Sequence, residues 1–428
     1  MLSWPLDQPF SGGGFPERGR RAPLTLEHPC QGRGGAYNGQ YDYKPFHSSK
    51  IETPAQHQCE RKAIPYQDFS KPSPYAMPLL FHSGIGISAM AAAVPRTCQS
   101  NLHSAGPWSQ AKLESAIGKL GIRERRVVAE GVCASDLCFA AAERLFKDTT
   151  ISRESVDLLI FVSQTPDYRM PATAIILQNR LGLSKDTAAF DINLGCSGFV
   201  YGLSIAYAYC SSQSVNRVLL LNGETRTRVV SPRDKSTGLI FGDAGSATLI
   251  EKNTCSEEQV FSLNSDGGRY EYIIIPAGGY RKMSSPESLK EVAFADGSVR
   301  SQENAVMNGP SLAKYFLHEI PLDIKRVLAA AKIAIDDCDY ILLHQASLFI
   351  NERLQWHFKI PVERCPYSMR EFGNTSSVSI PLTMVSQLAG PLGVGKNRVL
   401  MSGFGVGLSW ATAHLVMDRI KVCDLVEI

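Results

Sequence analysis

From Gly84 to Ile428 the apolar positions fall into two kinds of stretch. The first is a short continuous run. Ile85-Gly86-Ile87-Ser88-Ala89-Met90 reads as a buried strand, and Leu158-Leu159-Ile160-Phe161-Val162, Val218 to Leu221, Tyr340 to Leu343 and Val399 to Met401 read the same way. Runs that are apolar at every position suit strands covered on both faces. The second kind is helix-like, as in Phe199 to Tyr209 and Ile380 to Leu388. Strands alternating with helices predict an α/β fold.

The pattern also repeats. Val156-Asp157-Leu158-Leu159-Ile160 returns as Cys338-Asp339-Tyr340-Ile341-Leu342, 182 positions on (339 against 157). Asn216-Arg217-Val218-Leu219 returns as Asn397-Arg398-Val399-Leu400, 181 positions on (397 against 216). Short apolar strands resemble one another by chance, but two matches at nearly one offset favour a duplicated unit. The expected division is an N-terminal half over 84–255 and a C-terminal half over 256–428. They would pack as one pseudo-symmetric body with a site where they meet.

Residues 1–83 read differently. The first 80 hold 8 Gly and 11 Pro, with no sustained periodicity. Such a segment buries too little apolar surface to offset the entropy of ordering it, so it is expected to be a disordered extension. An organelle-targeting segment or a misassigned start are the alternatives; 9 basic against 7 acidic residues there is too acidic for a typical transit peptide.

Composition narrows the function classes. Lys+Arg total 44 against Asp+Glu 41, a net charge of +3, so nothing suggests a nucleic-acid partner. No apolar run reaches the roughly 18–20 residues of a membrane span. Eleven cysteines, with no C-x-x-C pair, argue against a disulfide framework or a zinc site, and point to a reducing compartment, the cytoplasm.

One of those cysteines has a distinctive setting. In Phe190-Asp191-Ile192-Asn193-Leu194-Gly195-Cys196-Ser197-Gly198 a strand ends in small residues just before a helix. Free N–H groups and the helix dipole at that turn favour a thiolate. A buried structural cysteine would fit the same stretch. A nucleophilic cysteine needs partners. His344 follows the strand Tyr340 to Leu343, the end at which α/β sheets present ligands, although a packed core histidine would look alike. Asn374, in Gly373-Asn374-Thr375-Ser376-Ser377, reads equally as a helix N-cap. The repeat adds weight: Cys196 lies 39 residues after Asp157, and Asn374 lies 35 after Asp339. The two turns are near-equivalent in the two halves. Gly403-Phe404-Gly405-Val406-Gly407, between two strands, offers backbone N–H groups to a developing oxyanion, or is a simple hairpin turn.

Together these stretches, with Phe241-Gly242-Asp243-Ala244-Gly245-Ser246-Ala247, resemble the β-ketoacyl-ACP synthase III (3-oxoacyl-ACP synthase III) family of the thiolase superfamily, over about 345 of the 428 residues. The resemblance implies a five-layered αβαβα thiolase-like fold and a homodimer. It implies that Cys196 takes an acyl group from acyl-CoA or acyl-ACP. His344 and Asn374 would then stabilise the enolate formed as malonyl-ACP or malonyl-CoA loses carbon dioxide, in fatty-acid or specialised lipid metabolism. The backbone N–H groups of Cys196 and Val406 would form the oxyanion hole. Met170, Arg228, Lys314 and Phe404 fall at substrate-binding positions. Acyl carrier protein is the implied partner, with no metal and no bound cofactor. Some positions depart from the family's pattern. Ser115 and Lys119 stand where a Trp and an Arg clamp the adenine of coenzyme A, and Phe349, Trp356 and His357 replace basic residues. Two other readings remain: acyl transfer to an alcohol or amine, and a non-catalytic partner subunit.

Overall fold

The computed structural model describes residues 79–104, 106–252 and 254–428. The disordered segment expected over 1–83 therefore lies outside the described residues up to position 78. Its end differs from expectation. Leu79–His82 form a strand, β1, antiparallel to Gln259–Ser262. Leu79 and Leu80 pack on the hydrophobic core, which gives this short stretch a reason to be ordered.

Two mixed sheets form the body. The first contains β2 (Ile85–Val94), β3 (Leu158–Val162), β4 (Ala188–Ile192), β5 (Arg217–Glu224) and β6 (Ala244–Lys252), in the order β2-β6-β5-β3-β4. The second contains β1, β7 (Gln259–Ser265), β8 (Tyr340–Leu343), β9 (Lys396–Gly405) and β10 (Ser409–Asp418), in the order β1-β7-β10-β9-β8. Along β2-β6-β5-β3 the pairings are antiparallel, antiparallel and parallel, and β7-β10-β9-β8 repeats that series. The repeated aspartates do the same work in both. Asp157 Oδ2 accepts the Arg217 amide (3.0 Å) at the start of β5, and Asp339 Oδ2 accepts the Arg398 amide (2.7 Å) in β9. The expected division at 255/256 falls in the loop between β6 and β7. Each sheet nevertheless borrows an end of the chain. β1 adds to the second sheet, while Lys421–Val422 and Val426–Glu427 pair with β2 in the first.

Helices cover every sheet face. α1 (Ala134–Asp148) and α2 (Thr173–Arg180) pack on the outside of the first sheet. α3 (Gly198–Cys210) and α6 (Ser379–Gln387) lie between the sheets. α4 (Gly309–Ala331) and α5 (Leu348–Phe358) close the outside of the second. The result is the five-layered αβαβα arrangement. It explains the continuous apolar runs: in β3, Leu158, Ile160 and Val162 face the central helices while Leu159 and Phe161 face the outer ones. α3 is apolar on nearly all sides because it is buried on nearly all sides. A methyl at Gly202 would come within 2.8 Å of Leu220, so this position sets how closely the helix approaches the sheet.

Candidate active site

Cys196 occupies the loop between β4 and the N-terminus of α3, and only 6% of its surface is exposed. The loop folds back on itself through a hydrogen bond from the Gly198 N–H to the Gly195 carbonyl (2.7 Å). Burial pushes the thiol's pKa up. The charge and hydrogen bonding of His344, the charge of Arg226 and a contact from Ser376 outweigh it, and the net value falls from 9.0 to about 6. The Ser376 hydroxyl stands 3.8 Å from Cys196 Sγ. The other cysteines whose surroundings shift them move the opposite way; Cys210, for example, is raised to about 11 by burial. The thiolate is the nucleophilic form, so Cys196 is the shifted thiol suited to attack at neutral pH.

His344 arrives from the end of β8, where its backbone N–H continues the parallel pairing by donating to the Ser402 carbonyl (2.9 Å). Its ring is held on two sides. Nδ1 lies 2.7 Å from the Ser379 hydroxyl, and the Phe404 ring stands edge-on at 5.5 Å. Gln345 accepts the amides of Ser368 (3.0 Å) and Met369 (3.3 Å), tying this corner to the helical turn Met369–Phe372 that precedes Asn374.

Asn374 is fixed through its backbone. Its N–H donates to Ile240 (2.9 Å), and its carbonyl accepts the Gly242 N–H (3.2 Å). A methyl at Gly242 would lie 2.0 Å from the Phe372 carbonyl, so only glycine permits this contact between the two halves. The Asn374 Oδ1 accepts the Ser376 amide (2.9 Å), which leaves the side-chain NH2 as the free donor. Ser376 sits at φ 53°, an uncommon region for a residue with a side chain. Its hydroxyl donates to Glu224 Oε1 (3.2 Å), and the Gln164 amide (3.3 Å) donates to the same oxygen. Burial of Glu224 raises its carboxyl to about 7, although Arg226 pulls it down.

The glycine-rich segment differs from expectation. Gly403 to Gly405 belong to β9, and only Val406-Gly407-Leu408 form the turn into β10. The first two glycines serve close approach instead. A methyl at Gly403 would be 2.9 Å from the Cys196 carbonyl, and one at Gly405 would be 2.6 Å from Cys196 Sγ. Val406 lines a cavity of about 310 Å³, together with Gln164, Asn193, Arg226, Tyr270 and Ile273–Ile275 among others. Neither the Cys196 nor the Val406 amide donates to a loop carbonyl among the described residues.

The sequence-predicted set divides in two. Cys196, His344, Asn374 and the Val406 segment converge. Met170, Arg228 and Lys314 stand apart from that cluster, and of the predicted residues only Val406 lines the cavity. Met170 is 77% exposed, Lys314 is exposed on α4, and Arg228 donates to the carbonyls of Ala129 and Val132 (both 2.9 Å). Phe404, expected to meet substrate, is 1% exposed and stands behind His344, packed on Phe316. The sequence reading missed Glu224, Arg226, Gln164 and Ser376. Glu224 and Arg226 follow the apolar run Val218 to Leu221, where nothing in the sequence separates a buried charged residue from a solvated one.

The chain also matches known proteins. Residues 190–267 match the family model for 3-oxoacyl-[acyl-carrier-protein (ACP)] synthase III, and residues 328–417 match the model for its C-terminal part. The beta-ketoacyl-[acyl-carrier-protein] synthase III of Streptococcus pneumoniae is 34% identical over 337 residues, covering 77% of this chain and 98% of that protein. Its counterpart from Fusobacterium nucleatum is 30% identical over 336 residues, covering 77% and 97%. The crystal structure of a 3-oxoacyl-(acyl-carrier protein) synthase from Burkholderia xenovorans superposes with a TM-score of 0.77 at 34% identity, covering 82% of this chain and 99% of that one. The chain belongs to the 3-oxoacyl-[acyl-carrier-protein] synthase III family of condensing acyltransferases.

Proposed function

We propose that Cys196, His344 and Asn374 carry out a two-stage condensation. In the first stage the Cys196 thiolate attacks the carbonyl carbon of an acyl thioester. The carbonyl oxygen becomes an oxyanion held by the N–H groups of Cys196 and Val406. Collapse breaks the donor's C–S bond, and the donor leaves as a thiolate that takes its proton from water. In the second stage a malonyl thioester binds and its C–C bond to the carboxylate breaks. Carbon dioxide leaves, and the electron pair passes to an enolate. With the Ser379 hydroxyl donating to Nδ1, His344 carries its proton on Nε2. That group and the Asn374 NH2 both donate to the enolate oxygen. The enolate carbon then attacks the acyl carbon, and Cys196 departs as thiolate. Only thioester substrates are required, with no metal or redox cofactor.

The single observation that carries this reading is a buried thiol, lowered to about 6, with His344 among the groups that lower it. An intact Asn374 with its NH2 free favours condensation over transfer to an alcohol or amine. The reading extends to malonyl-ACP as extender, with acyl-CoA or acyl-ACP as donor and acyl carrier protein as partner. It also extends to a homodimer: β4 is paired on one side only among the described residues, and Tyr168, Met170, Ile175 and Tyr209 lie exposed. All nine cysteines among the described residues are free, which suits a reducing compartment such as the cytoplasm. No helix among the described residues is long and apolar enough to cross a membrane. Within this scheme residues 84–255 supply the nucleophile and 256–428 the His–Asn pair.

The test is intact-mass analysis of the wild type and Cys196→Ala with a panel of acyl-CoA and acyl-ACP donors, followed by malonyl-ACP. An adduct on the wild type alone, discharged as a 3-ketoacyl product, is expected. A loaded enzyme that malonyl-ACP cannot discharge overturns the condensation step.

A further inference from the structure

Arg226 has no counterpart in the scheme above. Its residue is 6% exposed and lines the cavity that Val406 borders. The guanidinium donates from Nη2 to the Gln164 side-chain oxygen (3.0 Å) and stacks 5.7 Å from the centre of the Phe241 ring. Its Nε is buried with no hydrogen-bond partner among the described residues. It makes no ion pair among the described residues. A buried guanidinium with an unused donor is unfavourable unless an anion meets it, and its planar fork suits a carboxylate.

Two resident groups offer it negative charge. Glu224 interacts with it, but burial keeps that carboxyl protonated up to about pH 7. The Cys196 thiolate interacts with it as well. That second charge disappears once Cys196 is acylated, because thioester formation neutralises the sulfur. In the acyl-enzyme the guanidinium then faces a cavity with little to balance it. Gln164, which accepts from Arg226, and Asn193 add polar lining to the cavity, while Tyr270 and Ile273–Ile275 add apolar lining. That arrangement suits a short apolar stem with an anionic end.

We propose that the acyl donor of this enzyme carries a carboxylate on its acyl chain, and that Arg226 receives this carboxylate in the cavity beside Cys196. The proposal rests on the acyl-cysteine reading and adds the substrate class.

The experiment compares loading of wild type, Arg226→Leu and Arg226→Lys, by time-resolved intact mass and without malonyl donor. The probes are succinyl-, glutaryl- and adipyl-coenzyme A against butyryl-, pentanoyl- and hexanoyl-coenzyme A. The expected result is a wild-type preference of about tenfold to a hundredfold for the carboxylated donors, lost or reversed in Arg226→Leu and partly kept in Arg226→Lys. If Arg226 serves only to support the thiolate, both substitutions slow every donor equally and the ratio is unchanged; that result overturns the proposal. A wild type that loads the plain donors at least as fast also overturns it, without needing the variants to fold. If no donor labels the wild type above Cys196→Ala, the acyl-cysteine reading fails and this inference falls with it.

Discussion

Gly405 lies so close to Cys196 that a methyl in place of its α-hydrogen would stand 2.6 Å from both Cβ and Sγ of the cysteine. No real contact is that short, so Gly405→Ala must push the nucleophile or strand β9 aside. The expected consequence is a loss of about 1–3 kcal/mol of stability and a fall of about a hundredfold in acyl loading, since a displacement near 1 Å is enough to spoil attack geometry. Thermal melting and intact-mass loading rates check both. A variant that loads at the wild-type rate would show that this contact does not position the thiol.

The ionisation of Cys196 predicts its own pH profile. The thiolate reacts, and the folded-state value of about 6 lies below the ordinary 9.0. Alkylation by iodoacetamide should therefore rise through a midpoint near pH 6 and level off above pH 7. His344 heads the groups that lower the value. His344→Ala should move the midpoint upward, leaving the thiol protonated at neutral pH. A wild-type midpoint at 8 or above would contradict the assignment.

Much of this arrangement was legible in the chain, for physical reasons. Strands β3 and β8 announced themselves because each is covered on both faces, which demands an apolar residue at every position. The duplicate was readable through Asp157 and Asp339 because each performs the same backbone capping job in its half. Cys196, His344 and Asn374 stood out because small residues and strand ends flag backbone corners, and the repeat and the family resemblance tied them together. Arg226 and Glu224 were not, since their importance comes from burial at the end of β5, and a charged residue after a strand looks like a solvated one. Gly403 and Gly405 were assigned to a turn for a related reason. A glycine kept for close approach to another loop cannot be distinguished in sequence from one kept for a bend. The ordered strand Leu79–His82 was missed because its partner, β7, lies some 180 residues downstream.

Glu224 carries a prediction about stability. Its carboxyl is raised from 4.5 to about 7, with burial as the leading cause. A raised folded-state value means the native state binds the proton more tightly than the unfolded chain. The associated stability is complete below about pH 4.5 and is lost as pH rises through 7. That loss amounts to a few kcal/mol at most. Glu224→Gln keeps an acceptor for Ser376 but removes the titration. Its melting temperature should vary less than that of the wild type between pH 5 and 8, and should exceed it at the alkaline end. Parallel pH profiles for the two proteins would remove Glu224 from the account.

Asn374 separates the two chemical stages. Its Oδ1 holds the Ser376 amide, whereas its NH2 is the group offered to an enolate. Asn374→Asp keeps an oxygen for Ser376 and replaces the donor with an acceptor. Charge that develops on the enolate oxygen would then meet a carboxylate, and loss of one such donor is worth about a hundredfold to a thousandfold in rate. Acyl loading of Cys196 does not use that donor and should stay within about tenfold of wild type, allowing for the added negative charge near the thiol. Carbon dioxide release from malonyl-ACP should fall by the larger factor. Measuring loading by intact mass and decarboxylation by released carbon dioxide on the same preparation distinguishes the two effects. Equal losses in both would mean that Asn374 supports the shape of the site and not the enolate.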